Sequence, residues 1–276
     1  MLLCYDDFEC YKGGTPVSQK RKHAQSKKSS SRQQKKKKPS IGSRIMNILL
    51  NLFMLLLLLV GLALVFNNQI KNYLVKDTTN KHTISNVTRA DVKKNEQKDA
   101  TFDFDQVESL DFNLVAQATK GRDTGLNTIG GIAIPSVKLN LPIFKGVSNY
   151  VLAVGAGTMK EEQQMGRGNY ALASHYMYDP TLLFAPLVNV ELGQSVLLTD
   201  LEYIYEYKVT YKEYVEPSRV EVIDDVENKQ LVTLVTCDVS GTNRLIIQGE
   251  LVREVKGTDA PKYMQEAFEM DQTNYY

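Results

Sequence analysis

Cysteine and histidine are scarce in this 276-residue chain, with three of each. Cys4 and Cys10 stand near the N-terminus, and Cys237 alone follows a long apolar block. No disulfide framework can therefore staple the C-terminal part. A lone thiol there has no partner and is open to oxidation, so its presence asks for a chemical reason. Charge is absent altogether from residues 45–66, and no comparable apolar run follows. The polar stretch after Gly257 excludes a second anchor, and internal repeats are missing.

The uncharged block is I-M-N-I-L-L-N-L-F-M-L-L-L-L-L-V-G-L-A-L-V-F. At ~1.5 Å per residue, a helix of that length crosses a ~30 Å hydrocarbon core. Residues 1–44 hold 12 Lys/Arg against 3 Asp/Glu, and residues 67–276 hold 21 against 29. Arg44 and the run Lys35–Lys38 precede the span, so the positive-inside rule places the N-terminus in the cytoplasm and the rest outside. A cleaved signal peptide fits less well. Its apolar region is about 7–15 residues and ends in a small-residue site, whereas Phe66-Asn67-Asn68 closes this one. The basic tail, 1–44, reads as a disordered segment leaning on anionic lipid rather than as a nucleic-acid patch. The single-pass anchor is 45–66.

Residues 67–100 carry K-D-T-T-N, N-V-T and K-K-N-E-Q-K-D, and with so little to bury they read as a polar stalk. His82 is taken as solvated there, and the sequon Asn86-Val87-Thr88 as incidental. Val107, Leu110, Leu114 and Val115 have the spacing of a short helix. From Ile129 onward the pattern is strand-like, at 129–135, 137–144, 169–175, 195–200, 201–212, 230–237 and 244–253. The longest alternation sets Leu201, Tyr203, Tyr205, Tyr207, Val209 and Tyr211 against Glu202, Glu206, Lys208 and Lys212. Seven or eight strands, Gly and Pro punctuation and few helices predict a mainly β fold, a closed or nearly closed barrel over 101–255. A polar tail, 256–276, follows.

The chemistry rests on three residues. A thiol attacks a carbonyl only as thiolate, so Cys237 needs a base or a cation. His175 is the only imidazole in the folded stretch. It can take the thiol proton and return one to a leaving amine. Arg244 offers donors that do not titrate near neutrality, suited to an oxyanion. Residues 231–237, the turn 238–243 and the returning strand 244–253 form a hairpin that sets Cys237 and Arg244 at one rim. Singly each residue has a plainer reading: a small buried hydrophobe, a rim histidine, a solvated arginine.

Together with their surrounding words they resemble the class A, or housekeeping, sortases of Gram-positive bacteria. The words are G-G-I-A-I-P (130–135), L-P-I-F-K-G (141–146), G-A-G-T (155–158), M-G-R-G-N-Y-A-L-A-S-H (165–175), T-L-V-T-C (233–237) and N-R-L-I-I-Q-G-E-L (243–251). They stand in family order across about residues 100–255. The resemblance implies a closed eight-stranded β-barrel cysteine transpeptidase behind one transmembrane helix. It implies cleavage of surface proteins at an L-P-x-T-G-type signal, through a thioacyl-enzyme resolved by an amine of a cell-wall precursor of the lipid II type. Cys237 would be nucleophile, His175 general acid/base and Arg244 the oxyanion stabiliser. Ala173, Val220, Val222, Ile223, Thr233 and Val235 would clasp the Leu-Pro part, though they suit core packing equally. Neither Asp179 nor Asp238 is assigned to orient the imidazole. Some relatives bind calcium, for which Glu161, Glu162 and Asp225 are the candidates here. Arg167 falls where an acid would help, and the expectation is that no metal or other cofactor is needed. A water-accepting endopeptidase built on the same residues is the alternative.

Overall fold

The computed structural model describes residues 41–107, 110–119 and 125–270. Most of the expected basic tail, with Cys4 and Cys10, lies outside these residues. The chain divides into two compact units, 1–55 and 56–276. A helix, α1 (Ile41–Val65), runs through the boundary and is apolar on every side, its large side chains from Ile45 to Val65 exposed. Its stretch Arg44–Val65 is long and apolar enough to cross a membrane.

Within the second unit, three helices precede the strands: α2 (Asn67–Lys81), α3 (Arg89–Glu96) and α4 (Phe112–Thr119). The strands follow as β1 (Thr128–Ile134), β2 (Leu139–Phe144), β3 (Ala156–Thr158), β4 (Asn169–Ala173), β5 (Ser195–Thr199), β6 (Tyr203–Val215), β7 (Leu231–Cys237) and β8 (Arg244–Lys256). The short helix α5 (Asn149–Leu152) joins β2 to β3, and α6 (Lys262–Glu266) follows β8. The sheet closes on itself in the order β1-β2-β3-β4-β7-β8-β6-β5, so no edge is left unpaired. The pairs β2/β3 and β4/β7 are parallel, and the others are antiparallel. Ile132, Leu141, Leu172, Leu234 and Ile247 are among the side chains that fill the interior.

The long alternation predicted over 201–212 is interrupted. Tyr205, Tyr207 and Val209 do join the core, but register shifts fall at Glu206/Tyr207 and Val209/Tyr211. The second is a bulge in β6, and it exchanges the faces beyond it. Lys212 then pairs with Ile247 on the core side, and its ammonium donates to the carbonyls of Val188 and Val190 at 2.7 and 2.8 Å. The sequence reading had placed Lys212 on the polar face.

Residues 67–100 also differ from the expected stalk. Val75 on α2 joins the main core, while Ile84 and Val92 join a second cluster on the outside of the barrel with Met264, Ala267 and Phe268. Thr88 and Asp91 form a reciprocal capping box at the start of α3. Thr79 on α2 donates to the carbonyl of Val154 at 2.5 Å. A few well-spaced apolar side chains are enough to bind the segment, because each is almost wholly buried. The C-terminal tail is fixed in the same way, with Asn140 donating to the carbonyls of Phe268 and Met270. The short helix expected near 101–118 is α4, with Val115 buried.

Candidate active site

Strand parity decides which residues can meet. Tyr170 and Leu172 on β4, Val232 and Leu234 on β7, and Leu245 and Ile247 on β8 all point into the core. The alternate positions therefore face outward. They include Ala171 and Ala173, Thr233, Val235 and Cys237, and Arg244, Ile246 and Gln248. Cys237 and Arg244 are direct register partners in the β7–β8 hairpin. Directly paired Cβ atoms lie about 4.5–5.5 Å apart.

His175 reaches the same level from the other side. β4 and β7 run parallel, with Ala173 opposite Val235. The pairing continues past the end of β4. Ser174 N donates to Val235 O at 3.3 Å, and Thr236 Oγ1 donates to Ser174 O at 2.9 Å. Carried on one residue, that register sets His175 alongside Cys237. The three predicted residues thus occupy adjacent positions on one outward face, although 62 positions separate the histidine from the cysteine.

The imidazole is held by its backbone. His175 N donates to Leu152 O at 3.5 Å, and Phe184 N donates to His175 O at 3.2 Å. Nε2 is sealed from solvent and has no hydrogen-bond partner among the described residues, the Cys237 sulfur included. Burial favours the uncharged ring and pushes its pKa down to about 4. Neither nearby carboxylate is bonded to it among the described residues. Asp179 accepts from Asn72 Nδ2 and from Thr181, and Asp238 accepts from Ser240, Thr242 and Asn243. Cys237 is half-buried and free. Arg244 donates to two turn carbonyls, Gly241 O and Asn243 O, and forms no ion pair among the described residues.

The residues expected to clasp a peptide separate into three groups. Ala173 and Val235 are half-buried register partners, two steps back from His175 and Cys237. Val220, Val222 and Ile223 lie on a 3-10 turn in the β6–β7 connection, Val220 being 70% exposed. Thr233 takes the packing alternative of the two readings open to it. It is wholly buried, and its hydroxyl donates to Asn169 Oδ1 at 2.7 Å.

That hydroxyl belongs to a small polar lattice missed in the sequence. Asn169 Nδ2 donates to the carbonyls of Val222 and Asp224, and Gln248 Nε2 donates to Val222 O and Thr233 Oγ1. Together they hang the 220–224 turn over the outer face of β4, β7 and β8. The available signal was two amides at outward positions of otherwise apolar strands. Two concavities, about 400 Å³ beside α4 and α5 and about 350 Å³ reached by Arg89, Lys160 and Tyr170, include none of the three residues.

The loops that might hold calcium are tied without it. Lys160 Nζ lies 2.6 Å from Asp225 Oδ1, and Asn169 N donates to the same carboxylate at 2.8 Å. These bonds hold the Asp225 carboxyl below the usual range. Glu161 and Glu162 are exposed, and Arg167 pairs with Glu254. An ammonium already on the best acid leaves a donor set that does not fit a hard divalent ion. Among the described residues no cluster of metal-binding side chains is present.

A thiol with an imidazole just beyond the end of one neighbouring strand and a guanidinium at the start of the other is equipped for acyl transfer through sulfur. Residues 132–252 match the family model described as a sortase domain. A sortase A of Streptococcus agalactiae is 43% identical over 223 residues, 79% of this chain and 90% of the relative. A sortase A of Listeria monocytogenes is 41% identical over 206 residues, 74% of this chain and 92% of the relative. The crystal structure of sortase C-3 from Streptococcus pneumoniae shares the fold, with a TM-score of 0.52, at 19% identity over 72% of this chain and all of that one. The chain belongs to the sortase family and is a transpeptidase of the sortase type.

Proposed function

We propose that this enzyme, anchored by α1 with its N-terminus in the cytoplasm, acts outside the cell. It would cut surface proteins at an L-P-x-T-G-type signal between Thr and Gly and join them to an amine of a lipid II-type precursor. The observation that carries the reading is that Cys237 and Arg244 are register partners on β7 and β8, and that the β4–β7 pairing, continued through Ser174, brings His175 to their level. The charge asymmetry across α1 supports the orientation.

The steps follow from the side chains. His175 takes the Cys237 proton as the sulfur bonds to the Thr carbonyl carbon. The carbonyl π-pair moves to oxygen, and Arg244 N–H groups receive that oxyanion. Collapse breaks the Thr–Gly bond, and the imidazolium hands its proton to the departing amine. An imidazole of low basicity is a strong acid once protonated, so this transfer is easy. The acceptor amine then attacks the thioester, loses a proton to His175 and expels the thiolate. Ala173, Val235 and the Val220–Ile223 turn offer the Leu and Pro side chains an apolar bed.

The test supplies the full chain in micelles with an L-P-x-T-G peptide, with and without an added amine. Amine-dependent joined product is expected, together with a thioester mass on Cys237. Cleaved acid alone, in both arms, favours the endopeptidase reading. Undiminished turnover by Cys237→Ala refutes both.

A further inference from the structure

The six residues between Cys237 and Arg244 form a turn organised by one carboxylate. Asp238 Oδ1 accepts from Ser240 Oγ at 2.8 Å and Thr242 N at 3.0 Å, and Oδ2 accepts from Asn243 Nδ2 at 3.2 Å. The backbone closes around it, with Asp238 N donating to Asn243 O and Gly241 N donating to Asp238 O, both at 3.0 Å. These contacts hold the Asp238 carboxyl below the usual range. Gly241 adopts φ +76°, a left-handed conformation that suits glycine and re-aims the chain there.

The turn's outward carbonyls serve Arg244. Nη1 donates to Gly241 O and to Asn243 O, each at 3.2 Å. One guanidinium nitrogen is therefore fixed by neutral acceptors, while Nε and Nη2 remain for a ligand. The anchor matters because it is neutral. A carboxylate in its place would fix the side chain equally well but would compensate the charge an oxyanion needs. Asp238 forms its bonds within the turn and none with Arg244.

We infer that Asp238 is a positioning residue: through the turn carbonyls of Gly241 and Asn243 it aims an uncompensated Arg244 at the substrate beside Cys237. This rests on the transpeptidase reading for its kinetic consequence but not for its structural one. Donor misplacement in a site of this kind costs about 10- to 100-fold in turnover.

Two measurements on the full chain in micelles decide it. Asp238→Ala should lower kcat about 10- to 50-fold with KM within about threefold, at the native melting temperature to within a few degrees. Asp238→Asn sets two amide nitrogens face to face, and Asn243→Asp added to it should recover most of the loss. In an Arg244→Lys background Asp238→Ala should cost less than about threefold, because it acts through the guanidinium fork. Separately, the Arg244 Nη resonances of ¹⁵N-labelled protein should show hindered rotation in the native chain and averaging in Asp238→Ala. A loss as large in the lysine background, full activity of Asp238→Ala, or unchanged Nη resonances would overturn the inference. A native chain that leaves the peptide intact counts against the function proposed above, and the resonances still decide this point.

Discussion

Protonation of His175 is the perturbation whose size the structure specifies best. The ring's Nε2 is sealed without a partner, and its pKa falls from an ordinary 6.5 to about 4. At about 1.4 kcal/mol per unit, that shift amounts to ~3 kcal/mol of linked stability. The sign follows from the two end states. Above pH 6.5 the ring is neutral whether the chain is folded or unfolded, and it contributes no slope. Between 6.5 and about 4 the unfolded chain takes up a proton that the folded one refuses, so stability falls as pH drops. Below about 4 both states are protonated and the loss is complete. Carboxylates such as Asp225 also lose stability toward acid, so the native chain must be compared with His175→Gln, which removes only the imidazole contribution. Urea unfolding of both at pH 7, 6, 5 and 4 should show the native chain losing ~3 kcal/mol more than the variant. Histidine-selective NMR should give one of three resonances a midpoint near 4, and that resonance should vanish in His175→Gln. A His175 midpoint above 6, or parallel stability curves, would refute the reasoning. The same shift leaves the His175 ring uncharged near neutrality, free to accept a proton as the sulfur attacks.

Arg244→Ala should lower kcat by about 100- to 1,000-fold, the effect of removing an oxyanion donor worth ~2.7–4 kcal/mol, and Arg244→Lys should recover only part, as steady-state kinetics will show. Asp225→Ala removes the partner of Lys160 and Asn169 and should raise the peptide KM several-fold with little change in kcat. In the native chain that tie should weaken only as pH falls through the lowered Asp225 value. Chelator should leave turnover unchanged, and a loss restored by calcium would contradict the Lys160–Asp225 argument. Ile84→Ala should cost ~2–4 kcal/mol in urea unfolding, because a side chain 2% exposed would leave a cavity outside the barrel; a stalk residue would cost almost nothing.

Much of the barrel was legible because local patterns and the topology agree. The hairpin from Leu231 through Arg244 follows from two apolar runs and a polar turn, and the structure pairs Cys237 with Arg244 as that hairpin requires. His175 was legible as a residue type but not as a neighbour. Only the parallel pairing of β4 with β7 brings it alongside Cys237, and parallel pairs carry no short-range signature. The reversed face of Lys212 was hidden for another reason: a single extra residue in β6 exchanges inside and outside, and nothing in the alternation of Tyr and Lys announces it. Thr233 fits the packing alternative, because outward parity on a strand does not mean access when a turn hangs above it.

The N-terminal segment shows why composition misleads. Residues 67–100 are polar on average, yet Val75, Ile84 and Val92 are each no more than 2% exposed. A helix that docks on a finished barrel need not bring a core, only a few side chains that complete one, and no period of 3.6 emerges from so few positions. The segment also bears on the site. Asn72 of α2 donates to Asp179, four residues beyond His175, and Thr79 donates to Val154, two residues beyond the Leu152 carbonyl that receives the His175 N–H. The wall on the histidine side is therefore braced by chain that lies well before the first barrel strand. A catalytic fragment cut at residue 100, the boundary composition recommends, would lack the two side chains that brace that wall. Its imidazole would be expected to gain water and titrate closer to 6.5 than the full chain's, a difference the same histidine-selective NMR titration reads directly.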